Sequence, residues 1–253
     1  MLSCFEEPDL FSFTELDSTN NYAANLVRTK KIDKTFIVSA DYQTEGRGQR
    51  ASKWQSAKSQ NALFSIYMPW SNLHLSDQFI VSMIAAVGIA DVLEKVLNTK
   101  IQIKWPNDIY VVNRKIAGIL IESELNGQTV SSSIIGIGVN VNQVDFGDLN
   151  NATSLKLETG QNHDRMGIVK EITKQLLETC KSLNQQTDAF HSMKKRYLSR
   201  LLGLNQYNNV IEQSTGKHLD IKPLDVTRSG LLLATDTTNK LLTFDLKEIQ
   251  WVL

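Results

Sequence analysis

Apolar positions along this chain fall into two spacings. From Ser76 to Leu97 they recur at Phe79, Ile80, Met83, Ile84, Val87, Leu93, Val96 and Leu97, the three-and-four spacing of a long helix with a wide buried face. Elsewhere the apolar runs are short and bounded by turn residues. "TFIVSADYQ" and "NALFSIYMP" (Asn61 to Pro69) read as strands. "IQIKWPNDIYVV" alternates at first and then continues apolar, "NR" (Asn113, Arg114) punctuates it, and "KIAGILIESEL" returns; a hairpin is predicted there. "SSIIGIGVNVNQ" gives one more strand, in which Gly136 and Gly138 lie two apart and so share a face.

Polar stretches separate these elements. Asp17-Ser18-Thr19 precedes "NNYAANLVRTKK" and offers hydroxyl and carboxylate caps to a short helix. Val144 to Arg165 is rich in Asn, Asp and Gly and is predicted to be a loop. Two amphipathic helices follow, striped by Ile168, Ile172, Leu176 and Leu183, then by Phe190, Met193, Tyr197 and Leu201. After about Gly203 the texture changes to "LDIKPLDVT", "GLLLATD" and "KLLTFDLKEIQWVL", short alternating runs broken by Gly and Asn. These predict a small all-β unit, too small for a deep active site and docked on the main domain. The expected division is a main domain over 1–203 and a β unit over 204–253.

Composition narrows the class. With 42% hydrophobic and 21% charged residues, the 253-residue chain is an ordinary globular protein. Its 27 basic and 27 acidic residues cancel, so no global field attracts nucleic acid or an anionic membrane, and affinity for an anion must be local. The longest strongly apolar uncharged run, Gln78 to Ala90, has 13 residues, too short to span a bilayer. Glu6, Glu7 and Asp9 stand where an export signal would be basic and then apolar. Cys4 and Cys180 fit no metal or disulfide spacing, so a cytoplasmic protein with two reduced thiols is expected.

Four stretches carry candidate chemistry. "GRGQR" packs two glycines and two arginines into five positions, Gly46 to Arg50. Glycines let backbone N–H groups converge on an anion, and arginine adds a permanently charged fork. The stretch lacks the Lys-Ser/Thr of a P-loop and the third glycine of a dinucleotide fingerprint, and by itself it reads equally well as a solvated loop. In "KWPNDIY", Pro106 removes a ladder donor and forces a bulge or an edge, which draws Lys104, Asn107 and Asp108 together. Alone this is a strand end with a solvated ion pair as readily as a site. The paired glycines of "GIGVNVN" mark close approach of either a ligand or a helix. Ser18 or Thr19 caps a helix, and a cap can also present its hydroxyl to a ligand. The four histidines have no partnered spacing, and no Ser-His-Asp or Cys-His set supports nucleophilic hydrolysis.

The order of these stretches is more specific than any one of them. Ser18-Thr19-Asn20, then "GRGQR", "KWPNDIY", "KIAGILIE" and "GIGVNVN", spread over about 125 residues, resembles the catalytic domain of the biotin protein ligases. The C-terminal β unit resembles the SH3-like cap that follows it in that family. The resemblance implies an α+β fold, a mixed and mostly antiparallel sheet packed with helices, followed by a small SH3-like β-barrel domain. It implies a two-step reaction in which biotin and ATP form biotinyl-5′-AMP, and a lysine of a biotin carboxyl carrier domain then takes the biotinyl group. ATP implies Mg²⁺, for which no protein ligand is assigned.

Site residues follow by the same resemblance. Ser18, Thr19, Asn20 and Gln43 are expected at the biotin ring, with Gly136 and Gly138 as the floor beneath it. Arg47, with Gly46, Gly48 and Gln49, is expected to clamp carboxylate and phosphate. Lys104 joins Arg47 as the catalytic cation. Arg50, Asn107, Asp108 and Asn140 are expected on the ATP side. Arg47→Ala and Lys104→Ala are each expected to slow adenylate formation about a hundredfold.

Departures matter too. The family's loop commonly reads Gly-Arg-Gly-Arg with a glycine soon after, whereas Gln49 and Ala51 stand at those places here. Gln49 keeps hydrogen bonding but loses a charge, which Arg50 is placed to supply. No basic recognition helix precedes Phe11, so no operator DNA binding is expected. Homodimerisation stays open. The nearest rival is a lipoate or octanoate transferase of the same fold, and the rival of another class is a non-catalytic binder of biotin or nucleotide.

Overall fold

Each apolar run finds a partner in one main sheet, described by a computed structural model over residues 7–252 except Lys31, Arg50, Ala51, Gln186, Thr187 and Lys247. The sheet has seven strands: β1 (Asp9–Phe13), β2 (Phe36–Ala40), β3 (Ala62–His74), β4 (Gln102–Lys104), β5 (Asp108–Val111), β6 (Arg114–Asn126) and β7 (Thr129–Val139). Their order is β1-β2-β3-β7-β6-β5-β4. Only the β1–β2 pair among them runs parallel, which matches the mixed, mostly antiparallel sheet expected. Both faces of β2 are covered, so all five of its residues are buried, as expected of an interior strand with helices on either side.

Helix α1 (Thr19–Lys30) covers one face, packing Ala23 and Leu26 on Phe36, Val38 and Tyr67. Helix α2 (Phe79–Leu97) covers the other with α4 (Arg165–Asn184) and α5 (Ala189–Leu198). Its stripe is so wide because it is enclosed on nearly every side: Met83, Ile84, Ala86, Val87 and Ala90 are fully buried. Among the described residues no helix is long and apolar enough to cross a membrane.

A second sheet has five antiparallel strands: β8 (Asn208–Glu212), β9 (His218–Val226), β10 (Leu232–Asp236), β11 (Leu241–Phe244) and β12 (Ile249–Trp251), in order β11-β10-β9-β8-β12. Its inward residues, Val210, Ile221, Val226 and Trp251 among them, join the same apolar cluster as Phe64 and Ile84 of the main unit. Side-chain links reinforce the contact, among them the ion pair of Lys194 with Asp225 at 2.7 Å. Trp105 Nε1 donates to the Gly230 carbonyl at 3.0 Å, and Arg228 pairs with Asp77 at 2.9 Å.

Three details differ from the sequence reading. The "IQIKWPNDIYVV" run is two strands, because Trp105-Pro106-Asn107 turns the chain back so that Lys104 pairs with Asp108. The proline that interrupts the ladder therefore makes a hairpin of its own. The polar stretch after Val144 contains a one-turn helix, α3 (Leu155–Thr159), whose Ser154 cap accepts from Leu157 N and whose Leu155 is fully buried. Strand β1, an edge strand with Asp9, Leu10 and Ser12 exposed, is an element that apolar spacing did not reveal.

Candidate active site

The β2–β3 connection folds back on itself as a small hairpin beside the sheet. Arg47 bridges Lys53, Gly48 N donates to Ser52 O at 2.7 Å, and Trp54 N donates to Gly46 O at 2.9 Å. This hairpin, the start of α1, the β4–β5 turn, the first half of β6 and the end of β7 enclose a cleft of about 200 Å³.

One end of the cleft is a hydrogen-bonded cluster of short polar side chains. Gln43 Oε1 accepts from Thr19 N at 2.8 Å and lies 3.1 Å from Thr19 Oγ1, so the glutamine closes the first turn of α1 from outside the helix. Ser65 Oγ lies 2.7 Å from Thr19 Oγ1 and 2.6 Å from Asn20 Oδ1; with one proton it donates to one of them at a time. Ser18, Thr19 and Asn20 are almost fully buried, so their geometry is fixed by packing as well as by hydrogen bonds.

Glycines form the floor. Gly118 of β6 lies opposite Gly138 of β7, and Gly136 lies opposite Leu120. The space above these glycines is used within the chain. A Cβ at Gly138 would lie 2.5 Å from Trp54 Cε2, and one at Gly136 would collide with Asn20 Oδ1. The Trp54 indole thus roofs Gly118 and Gly138 while Asn20 covers Gly136, and the indole Nε1 is shielded from solvent without a protein partner.

The other end is charged. Asp108 stands between two ammonium groups, 2.6 Å from Lys115 Nζ and 3.7 Å from Lys104 Nζ. Lys115 Nζ also lies over the Trp54 ring, 5.5 Å from its centroid. Burial, with the Asp108 carboxylate beside it, pushes the Tyr110 phenol up to about 12; it stays neutral and accepts from Lys104 Nζ at 3.2 Å. Arg47 completes the set. Its Nη1 donates to Asn21 Oδ1 at 2.5 Å, and its Nη2 pairs with Glu122. Asp17 is held below the usual carboxylate range chiefly by its hydrogen bond from Asn21.

Most of the residues singled out from the sequence converge on this cleft: Ser18, Thr19, Asn20, Gln43, Arg47, Gly48, Gln49, Asn107, Asp108, Gly136 and Gly138 line it. Others stand elsewhere. Lys104 is not on the cleft wall; its short strand turns its ammonium to Tyr110 and Asp108 instead. Asn140 is buried, with its amide committed to the Thr153 carbonyl at 2.9 Å. Gly46 does not line the wall but is buried at the base of the hairpin, where a Cβ would collide with the Trp54 carbonyl. The Gly48 amide expected in an anion nest is already bonded to Ser52. Arg50 and Cys4 lie outside the described residues.

Several lining residues were missed, Lys115 and Trp54 among them. Lys115 opens β6 at a bulge opposite Tyr110, a lysine set directly after a hairpin turn and before a glycine strand. Trp54 is the one large aromatic in the hairpin after "GRGQR", which was its only sequence signal.

Comparisons with known proteins place the sequence and the fold. Residues 11–140 match the model of the biotin/lipoate A/B protein ligase family. The bifunctional ligase/repressor BirA of Bacillus subtilis is 32% identical over 223 residues, 86% of this chain and 66% of the relative. BirA of Escherichia coli is 32% identical over 200 residues, 77% of this chain and 58% of the relative. The chain thus spans two thirds or less of the length of these bifunctional relatives. Among solved structures, the biotin protein ligase of Aquifex aeolicus in complex with biotin and ATP has a TM-score of 0.75 at 24% identity, covering 97% of this chain and 98% of that one; the likeness is one of fold. The family match spans half the chain, includes the hairpin, the β4–β5 turn and the glycine floor, and settles the kinship: this chain belongs to the biotin/lipoate A/B protein ligase family.

Proposed function

We propose that the chain is an ATP-dependent biotin–protein ligase. It joins the carboxylate of biotin to the α-phosphate of ATP with release of pyrophosphate. It then passes the biotinyl group to the ε-amine of a lysine on a biotin carboxyl carrier domain, releasing AMP. The observation that carries this reading is the convergence of Arg47 and Lys115 on a glycine-floored cleft, in a chain 32% identical to named ligases.

The first step brings two anions together. A carboxylate oxygen bonds to the α-phosphorus as the bond to the pyrophosphate oxygen breaks, and repulsion between the reactants adds to the barrier. Arg47 and Lys115 offset that repulsion and hold the carboxylate in line, a role of position and charge. Asp108, 2.6 Å from Lys115 Nζ, orients the ammonium, and Lys104 steadies Asp108 from behind. At the far end Gln43 has its amide oxygen bonded to Thr19, which leaves its Nε2 for the ligand's polar ring. Asn107 fixes the β4–β5 turn by donating to the Ile119 carbonyl at 2.5 Å. Asn140 acts from beneath by tethering the Thr153 segment.

Mg²⁺ enters as substrate, in MgATP. Among the described residues no group of three or more His, Cys, Asp and Glu side chains could hold a metal. Asp108, the carboxylate on the cleft wall, is engaged by Lys115, so the phosphates carry the ion into the site.

Incubation with MgATP, a purified carrier domain and either biotin or lipoate, read by intact mass, tests this function. A biotinyl adduct on the carrier is expected. A lipoyl adduct without a biotinyl one would replace the reading with a lipoate ligase. Bound ligand with no adduct of either kind would leave a non-catalytic binder.

A further inference from the structure

Arg47 is held by the carboxylate that ends the "KIAGILIE" stretch, Glu122, to which the sequence assigned no role. Glu122 sits on β6, on the same face as Gly118 and Leu120, and outside the residues that line the cleft. One of its oxygens pairs with Arg47 Nη2, and the other accepts from Asn20 Nδ2 at 2.7 Å. Asn20 is fixed in turn, its Oδ1 lying 2.6 Å from Ser65 Oγ. Neighbouring Asn21 accepts from the second arm of the guanidinium at 2.5 Å. A single carboxylate therefore ties three separate elements together: the glycine-arginine hairpin, the start of α1, and the sheet.

The geometry points to Glu122 as a positioning residue that holds Arg47, and with it the β2–β3 hairpin, over the cleft so that the acyl-adenylate is retained between the two chemical steps. The proposal rests on the ligase reading given above. Among the described hairpin residues, Arg47 alone forms an ion pair with the sheet, and without that counter-charge its guanidinium is joined to α1 by the Asn21 hydrogen bond alone. The guanidinium and carboxylate are each about two-fifths exposed, so solvent screens the pair and its effect is that of an accessible ion pair rather than a buried one. Glu122 touches neither reacting atom. Its removal speeds loss of the intermediate while leaving the charges that act on phosphorus in place.

Glu122→Gln keeps the shape and the hydrogen bond to Asn20 Nδ2 while removing the charge. Pre-formed biotinyl-5′-AMP is added to the protein and its dissociation rate followed by chase, in the parent background and with Arg47→Ala, so that no catalytic turnover is needed. Glu122→Gln is expected to speed release about fivefold in the parent, the upper end for an exposed ion pair, and to change nothing once Arg47 is gone. Equal acceleration in both backgrounds would mean that Glu122 acts by general stabilisation, and no acceleration in either would mean that it does not hold the hairpin; each overturns the proposal alone. Failure of the parent to bind the adenylate at all would overturn the ligase reading, and this proposal with it.

Discussion

The charge balance of the cleft turns on Asp108, which faces Lys115 at 2.6 Å and Lys104 at 3.7 Å. The two lysines look interchangeable on a list of cations, yet only Lys115 lines the cavity. Lys115→Ala is expected to slow biotin-dependent adenylate formation about a hundredfold, as loss of a preorganised charge partner does. Lys104→Ala is expected to cost about tenfold or less, because it acts through Asp108; single-turnover kinetics of the two variants check the order. That order could not be read from the sequence, which places Lys104 beside Asp108 and leaves Lys115 across a turn. Cys180 makes a different residue-scale test. Its burial pushes the thiol up from an ordinary 9.0 to about 12. The folded chain thus holds the proton more tightly than the unfolded one, and the stability this contributes is full below about pH 9 and lost as pH rises towards 12. Denaturant titrations above pH 9 should show a shallower loss in Cys180→Ala than in the parent; an identical slope would contradict the assignment.

At the scale of elements, spacing revealed what it could. A helix with the stripe of α2 and strands with the apolar runs of β2 and β3 have few other ways to bury themselves, and they form where the pattern put them. Elements held by polar contacts were harder. Helix α3 depends on Ser154 as its cap and on one buried leucine, too little periodicity to notice. The β4–β5 hairpin is set by Pro106, whose effect on a ladder was legible although the reversal of the chain was not. Asn61, just before β3, shows the same point, since its amide replaces a missing backbone partner for the segment after β7. Asn61 accepts from Val141 N at 3.1 Å and donates to Gln143 Oε1 at 2.5 Å, fixing the segment that leaves the glycine floor. Asn61→Ala would leave a buried amide unpaired, and a loss of about 1–3 kcal/mol is expected in chemical denaturation.

At the scale of the molecule, the C-terminal β unit shares an apolar cluster with the main unit and reaches the β4–β5 turn directly. Trp105, one residue after Lys104, is 2% exposed and donates its indole N–H to Gly230, while Tyr197 Oη donates to Pro106 O at 3.3 Å. The turn that presents Asn107 and Asp108 to the cleft is therefore packed from below by the second sheet and α5. The change of texture after Gly203 predicted a small docked β unit but carried no sign of which surface it meets, because shared apolar residues, a backbone carbonyl and single ion pairs do not mark their partners in a sequence. Trp105→Phe keeps the ring and removes the donor, and it should lower stability by about 1 kcal/mol, with both sheets still unfolding in one transition because they share a core.

The account depends on a guanidinium and an ammonium sheltering an activated acyl group, and biotin-dependent exchange of labelled pyrophosphate into ATP measures that step alone. The parent chain should catalyse exchange only when biotin is present, and Arg47→Ala and Lys115→Ala should each reduce it about a hundredfold. Exchange at the parental rate in either variant, or no biotin-dependent exchange in the parent, would contradict it.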